Sequence, residues 1–395
     1  MDLTSTQTGA VAETLPPEFR KLAIASGGTG GHFYPGLSVA REFQRRRGEV
    51  LMFLSGKHTA QQSEIAARFG IKTIIIPASP RPRGPVAFCR FVINLLRGVG
   101  QARRRLEEFR PDALLGMGSF ASFTASIGAR LAGIPVFLHE GNARIGAANR
   151  FISRWAYHLA ISFPPVNREH CKCPVTCTGM PVRPELLGQR IDRDQAIAQI
   201  NREQGTAFTP ELPLFLIFGG SQGAQVFNQT LPAALKQLGR QDFQVIHLTG
   251  KGKLDEVTAA YAGAAFPALA VAESAEMDVL YTACNLIFCR AGASSIAEIT
   301  LFGRYSVLVP FPYAAELHQD DNAAVMTAAD AATVVGNADF TAGWIKEFLA
   351  DWFEHRPEFE NKAGNCAMVA RPEATTDLLH LIEADLLRLA AIVET

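Results

Sequence analysis

The chain has 395 residues, of which 48% are hydrophobic, and Lys+Arg and Asp+Glu balance at 38 each. This length suits two domains with a sizeable core in each. The charge balance gives no global field for nucleic acid, so any anion site must be local. Seven cysteines, an odd number unevenly spread, fit reduced thiols better than a disulfide framework.

The first twenty residues, "MDLTSTQTGAVAETLPPEFR", lack the basic start and apolar stretch of a signal peptide and read as a disordered arm. No run reaches the roughly 18–20 apolar residues of a membrane span, which leaves a soluble chain or one resting on a membrane surface. Leu22–Ala25 reads as a buried strand, "GGTGG" (27–31) as a glycine loop, and Pro35–Arg46 as a helix. Strands at Val50–Leu54, Thr73–Ile76, Ala113–Leu115 and Val136–Leu138 follow. They alternate with helices over Ser63–Phe69, within "FCRFVINLLRGVGQARRRLEEF" and within "ASFTASIGARLAG". This alternation predicts a parallel sheet with crossover helices.

The pattern then restarts with a strand at Leu214–Phe218, the loop "GGSQGA" and a helix in "QVFNQTLPAALKQL". Further strands lie at Val245–Leu248, Leu286–Cys289 and Ser306–Val309. The two glycine loops align with an offset of 219 − 27 = 192 residues. The expected fold class is therefore α/β with two similar domains, joined near "GMPVRPELLGQRIDRD", where Pro and Gly cluster. The expected boundaries are 21–185 and 186–340, followed by C-terminal helices over 341–395 that include "TTDLLHLIEADLLRLAAIV".

A strand–glycine loop–helix corner offers unpaired backbone N–H groups and the positive end of a helix dipole, which suits phosphate; a tight turn is the plain alternative. The dinucleotide pattern G-x-G-x-x-G fails, because Phe33 occupies the third glycine's place. No G-x-x-x-x-G-K-[ST] occurs either. Asp192 and Asp194 match the loose D-x-D of metal-dependent sugar transferases, but capping of a helix start accounts for them better. In "CRAGASSIAEITLFG", Ser294 or Ser295 is expected to cap a helix that carries Glu298 one turn inside and closes at Gly303. Such a start can take a diphosphate, and such a glutamate a sugar diol.

"GGTGGHFYPGLSVA", "LLGMGSF", "LHEGN", "GMPVRPEL", "FGGSQGAQVFN", "CRAGASSIAE" and "LHQDDNA" occur in this order. Together they closely resemble the MurG family within glycosyltransferase family 28, the UDP-N-acetylglucosamine–lipid I N-acetylglucosaminyltransferases of bacterial cell-wall synthesis. The resemblance runs from about Lys21 to Val335 and implies a GT-B fold, two Rossmann-like domains facing a central cleft, with the C-terminal helices packing back on the first. It implies inverting transfer of GlcNAc from UDP-GlcNAc to the C4 hydroxyl of MurNAc in lipid I, giving lipid II, with no metal or other cofactor. The implied partners are UDP-GlcNAc, lipid I, the cytoplasmic face of the inner membrane and other cell-wall synthesis and division proteins, with a role in cell shape and no nucleic acid. Position by position, it places Thr29, Gly30, Gly31 and Asn142 at the donor sugar. Arg183 and Ser221 fall at the diphosphate, with Ala293, Ser294 and Ser295 at the helix start. Glu298 falls at the ribose, and His318 and Gln319 at the sugar hydroxyls. Other UDP-sugar enzymes of this fold, a 2-epimerase or a transferase to a different lipid, are the enzymatic alternatives, and a non-catalytic nucleotide-sugar-binding subunit is the other.

This chain departs from the family pattern at Gly141 (usually Gln), Met180 (usually Asn), Ser119 and Phe123 (usually Gly), and Ser274 (usually apolar). His32, directly after the first loop, is the candidate general base, since an imidazole near pH 6.5 is a useful base at cytoplasmic pH; binding substrate or pinning the loop are its other roles. His139 is expected to support Asn142. Phe88, Phe91, Val92, Leu95, Leu96 and Val99 form one helical stripe bordered by Arg83, Arg90, Arg97 and Arg103–Arg105. The stripe fits either a core or an anionic membrane surface. "CKCPVTC" (171–177) lacks zinc-site spacing and reads as ordinary thiols.

Overall fold

A computed structural model describes residues 16, 19–28, 30–56, 58–77, 85–220, 223–313 and 318–393. The elements run β1 (Lys21–Gly27), α1 (Gly30–Arg45), β2 (Glu49–Ser55), α2 (Thr59–Arg68), β3 (Lys72–Ile75), α3 (Pro85–Phe109), β4 (Ala113–Gly116), α4 (Ser119–Leu131), β5 (Val136–Glu140), α5 (Ala147–Ile152), β6 (His158–Ile161) and β7 (Val175–Cys177). They continue with α6 (Arg193–Gln204), β8 (Leu214–Phe218), α7 (Gln225–Lys236), β9 (Gln244–Leu248), α8 (Leu254–Tyr261), β10 (Ala268–Val271), α9 (Met277–Ala283), β11 (Leu286–Cys289), α10 (Ala293–Leu301), β12 (Tyr305–Leu308), α11 (His318–Ala328) and β13 (Ala332–Val334). Helices α12 (Ala342–Glu354), α13 (Arg356–Gly364) and α14 (Ala374–Val393) close the chain.

One sheet has the order β3-β2-β1-β4-β5-β6-β7 and the other β10-β9-β8-β11-β12-β13. The pairs from β3 to β5, and all pairs of the second sheet, are parallel. In each, the first strand of the unit (β1 or β8) sits mid-sheet between the second and a later one. This is the strand-order reversal at which open α/β sheets place ligands. Both sheets are buried on two faces, so their strands read as continuous apolar runs: "LAIA" is fully buried in β1 and "LFLI" in β8.

The chain divides into two compact units. The first holds Met1–His139, Phe151–Leu159 and Thr376–Thr395; the second holds Glu140–Arg150 and Ala160–Thr375. This division differs from linear boundaries at 185 and 340. The segment after β5 belongs to the second unit because Ala143 lies in that unit's core. Helices α12 and α13 belong there too, with Trp352 and Phe359 in a core cluster beside Phe215 and Phe243. Within the first unit, the His158 ring nitrogen lies 2.8 Å from the Asp385 carboxylate of α14.

Four details correct the linear reading. The arm expected to end at residue 20 stops short, because Phe19 is fully buried with its ring 4.7 Å from that of Phe43; most of the arm lies outside the described residues. Helix α1 starts at Gly30, so Pro35 is inside it rather than at its start. The α3 stripe is neither wholly core nor wholly free: Val99, Ala102 and Leu106 are buried, whereas Phe88 and Leu96 are 40% and 65% exposed. The two glycine loops also diverge. Gly28 and Gly220 share φ values of +83° and +82°, but α1 begins three residues after Gly27 and α7 six residues after Gly219. No described helix is long and apolar enough to cross a membrane.

Candidate active site

At the β1–α1 corner of the first unit the backbone sets the geometry. Gly27 has φ +136°, and a Cβ there would sit 2.5 Å from the Ser55 carbonyl oxygen, so no side chain fits. Gly28 donates its N–H to that same oxygen at 2.8 Å. Gly30, Gly31 and His32 form the first turn of α1 rather than a loop. The Ser26 hydroxyl donates to the His32 carbonyl at 2.8 Å, fixing the backbone from which the half-buried imidazole projects. Thr29 lies outside the described residues, as does Ser221 at the β8–α7 corner.

The second unit gathers more of the expected residues. Helix α10 starts at Ala293 with Gly292 as its cap residue, and no side chain caps it. The expected serine cap is therefore absent. The Ser294 hydroxyl is instead buried without a hydrogen-bond partner among the described residues. A buried unmade hydrogen bond is costly, and this one stands in the first helical turn, where backbone N–H groups are also unpaired. Four residues on, and so on the same face, lies Glu298. Its Oε2 accepts from the Tyr281 hydroxyl at 3.0 Å, and its Oε1 is 3.5 Å from Arg183 Nη2. Burial raises the Glu298 carboxyl above the ordinary range, and Arg183 and Tyr281 oppose this. Gly303 ends the helix at φ +58°, as the sequence implies.

Asn142 is fixed from two sides. Its main-chain and side-chain N–H groups both donate to Glu140 Oε1 at 3.1 Å, and its Oδ1 accepts from Asn322 Nδ2 at 3.2 Å. One amide hydrogen and one lone pair of its side chain remain for a ligand. Glu140 also accepts from Gly146 N and Asn149 Nδ2. Its carboxyl is raised by burial, against the pull of these donors. Asn322, fully buried, ties the Asn142 loop to the approach to α10: its Oδ1 accepts from Ala143 N at 2.8 Å and its Nδ2 donates to Ala291 O at 3.1 Å. Arg144 pairs with Asp321 on the same helix turn.

Two departures from the family pattern prove to be one. A Cβ on Gly141 would fall 2.7 Å from Met180 Cε and 4.0 Å from the Ala293 Cβ. The Met180 thioether fills the room that a side chain at 141 would take. His318 and Gln319 open α11, and the Gln319 side-chain oxygen accepts from Phe311 N at 2.9 Å. Arg290 donates to the carbonyls of Val309 and Pro310 and so holds the strand end that leads to them.

Outside this cluster, Asp192 caps α6 in a reciprocal capping box with Gln195, the role expected of it. The Ser274 hydroxyl accepts from Glu276 N at 3.1 Å. The Cys171 and Cys173 thiols lie 3.7 Å apart and buried. The described residues contain no cluster of three or more metal-ligating side chains. Glu140 and Asn322 lie inside the stretches "LHEGN" and "LHQDDNA" but were assigned no role from the sequence, and no motif includes Tyr281. Tyr281 comes from α9, 17 positions before Glu298, and reads as an ordinary apolar-face residue.

Residues 22–161 match the model of the glycosyltransferase family 28 N-terminal domain, and residues 214–377 match that of the family's C-terminal domain. The chain belongs to glycosyltransferase family 28. Among family 28 relatives, a protein of Magnetococcus marinus named UDP-N-acetylglucosamine--N-acetylmuramyl-(pentapeptide) pyrophosphoryl-undecaprenol N-acetylglucosamine transferase is 33% identical over 369 residues, covering 92% of this chain and 96% of its own. One of the same name from Lactiplantibacillus plantarum is 32% identical, covering 92% and 99%. The crystal structure of MurG from Acinetobacter baumannii superposes with a TM-score of 0.73 at 28% identity, covering 93% of this chain and 99% of that one. The family 28 architecture is thus that of two parallel-sheet α/β domains of GT-B type.

Proposed function

We propose that this family 28 glycosyltransferase transfers GlcNAc from UDP-GlcNAc to the C4 hydroxyl of the MurNAc unit of lipid I, with inversion, forming lipid II in peptidoglycan synthesis. The observation that carries the donor half is the α10 start. A buried Ser294 hydroxyl with no partner among the described residues stands in the first turn of a helix that no side chain caps, with Glu298 one turn away, held by Tyr281 and Arg183. Ser294, Ser295 and the Ala293 backbone receive the diphosphate, Arg183 adds positive charge, and Glu298 accepts the ribose hydroxyls. Asn142, His318 and Gln319 orient the sugar, and Thr29, Gly30, Gly31 and Ser221 complete the donor contacts. Donors preorganised at a developing anion are each worth about 2.7–4 kcal/mol in the transition state. In this reading the protein itself neutralises the departing UDP, without a metal or other cofactor.

His32 takes the proton from the attacking C4 hydroxyl as that oxygen bonds to the anomeric carbon, and the bond to the diphosphate oxygen breaks on the opposite face. The exposed half of α3, with Phe88, Ile93 and Leu96 beside Arg90 and Arg97, rests on the anionic cytoplasmic leaflet where a lipid-linked acceptor resides. The test is incubation with UDP-GlcNAc and a lipid I analogue. The expected products are the disaccharide lipid and UDP. Turnover of UDP-GlcNAc without disaccharide would replace this reading with an epimerase or hydrolase.

A further inference from the structure

We infer that Tyr281 is a positioning residue for nucleotide recognition: its hydroxyl fixes the Glu298 carboxylate so that the two oxygens each present one lone pair to a vicinal diol. The inference rests on the reading of Glu298 as the ribose acceptor and adds how that acceptor is aimed.

A carboxylate has about four acceptor positions, two on each oxygen. Tyr281 occupies one on Oε2 at 3.0 Å, and Arg183 faces Oε1 at 3.5 Å. One position per oxygen is left, which is the number that a 2′,3′-diol needs to donate both its protons. The Tyr281 ring cannot swing away. It is fully buried, with its centroid 5.3 Å from that of Phe302 and 6.1 Å from that of Phe218. Burial and the adjacent carboxylate hold its phenol well above the ordinary range, so it remains a donor. Glu298 rides on α10 itself, whereas Tyr281 stands on α9, and its backbone carbonyl accepts from Arg304 Nε at 2.7 Å. The aim of the carboxylate is therefore set by a second element and not by its own helix alone. Without the phenol, the Glu298 side chain is free to rotate toward Arg183 and meets the diol with one oxygen.

The test compares binding of UDP and 2′-deoxy-UDP by calorimetry in the wild type, Tyr281→Phe and Glu298→Gln, with thermal melting of each. A site built to accept a hydroxyl proton rejects the analogue that lacks it, here by about tenfold or more in the wild type. Tyr281→Phe keeps the ring and its packing. It is expected to melt close to the wild type, yet to bind UDP more weakly and narrow the discrimination to about threefold or less, since a single-oxygen contact no longer reads both hydroxyls. If UDP and 2′-deoxy-UDP weaken together with their ratio intact, Tyr281 is merely structural and the inference fails. If Glu298→Gln loses discrimination while Tyr281→Phe keeps it, the ribose reading stands and only the role of Tyr281 falls. If the wild type does not discriminate, the ribose reading itself fails and takes this inference with it.

Discussion

At the β1–α1 corner the unusual feature is the backbone, and at the β11–α10 corner it is the side chains. The first corner needs Gly27 at φ +136°, packed on the Ser55 carbonyl, and from it projects one half-buried imidazole. The second has ordinary helical geometry from Ala293 onward, but its first turns bury a lone hydroxyl and a raised carboxyl held by two neighbours. The contrast fits a division of labour. A nucleotide diphosphate sugar is a large polar ligand and calls for preset donors and acceptors. Proton transfer calls for one group near its working pKa with room to accept a proton. Donor affinity should therefore respond chiefly to side-chain changes at the second corner, and turnover to the loss of the imidazole at the first.

The largest expected effect tests the first corner. His32→Ala should lower kcat by about 10²- to 10⁴-fold, the range of a lost general base, while the calorimetric Kd for UDP-GlcNAc changes little. A loss confined to Kd, with kcat retained, would make His32 a binding residue and erase the contrast between the corners.

A smaller effect is expected beside α10, where Met180 occupies the space over Gly141. Restoring a family-like side chain with Gly141→Gln should destabilise the fold by about 1–3 kcal/mol in urea denaturation, as overpacking does. Adding Met180→Asn should recover most of that loss, because the crowding atom, Met180 Cε, is removed. Additive effects in this cycle would mean that the two positions do not share one space.

Much of this was legible in the chain. The alternation of buried runs and amphipathic stretches placed every strand of both parallel sheets' centres, since strands covered on two faces are apolar throughout. Gly27, Gly28 and Gly220 announced positive-φ corners, and Asp192 a helix start. What was not legible depends on contacts far apart in sequence. The start of α1 is hidden because two glycines, poor helix formers, open it. The absence of a serine cap at α10 is hidden because Ser294 and Ser295 look like caps until their place within the first turn is known. The bond from Asn322 to Asn142 spans 180 residues, and the one from Tyr281 to Glu298 joins two helices. The split of the α3 stripe is equally invisible to periodicity, which marks a face but not what covers it.

The smallest effect has the most telling sign. Burial raises the Glu298 carboxyl above its ordinary 4.5, and Arg183 and Tyr281 do not cancel that rise. The folded state then holds the proton more tightly than the unfolded state. The contribution of this group to stability is full below about pH 4.5 and is lost as pH rises through the raised folded value. Ionising this side chain in the folded protein is thus a net burden on the fold, kept for what it does to a ligand. Glu298→Gln has nearly the same shape and no charge. It should be more stable than the wild type at pH 7, and the difference should shrink as the medium is acidified below pH 4.5. Urea denaturation at pH 7 and pH 4 reads both. A variant less stable than the wild type at pH 7 would show that the pairing with Arg183 outweighs the cost of burial, so that the carboxylate braces the fold and the second corner is no less structural than the glycines of the first.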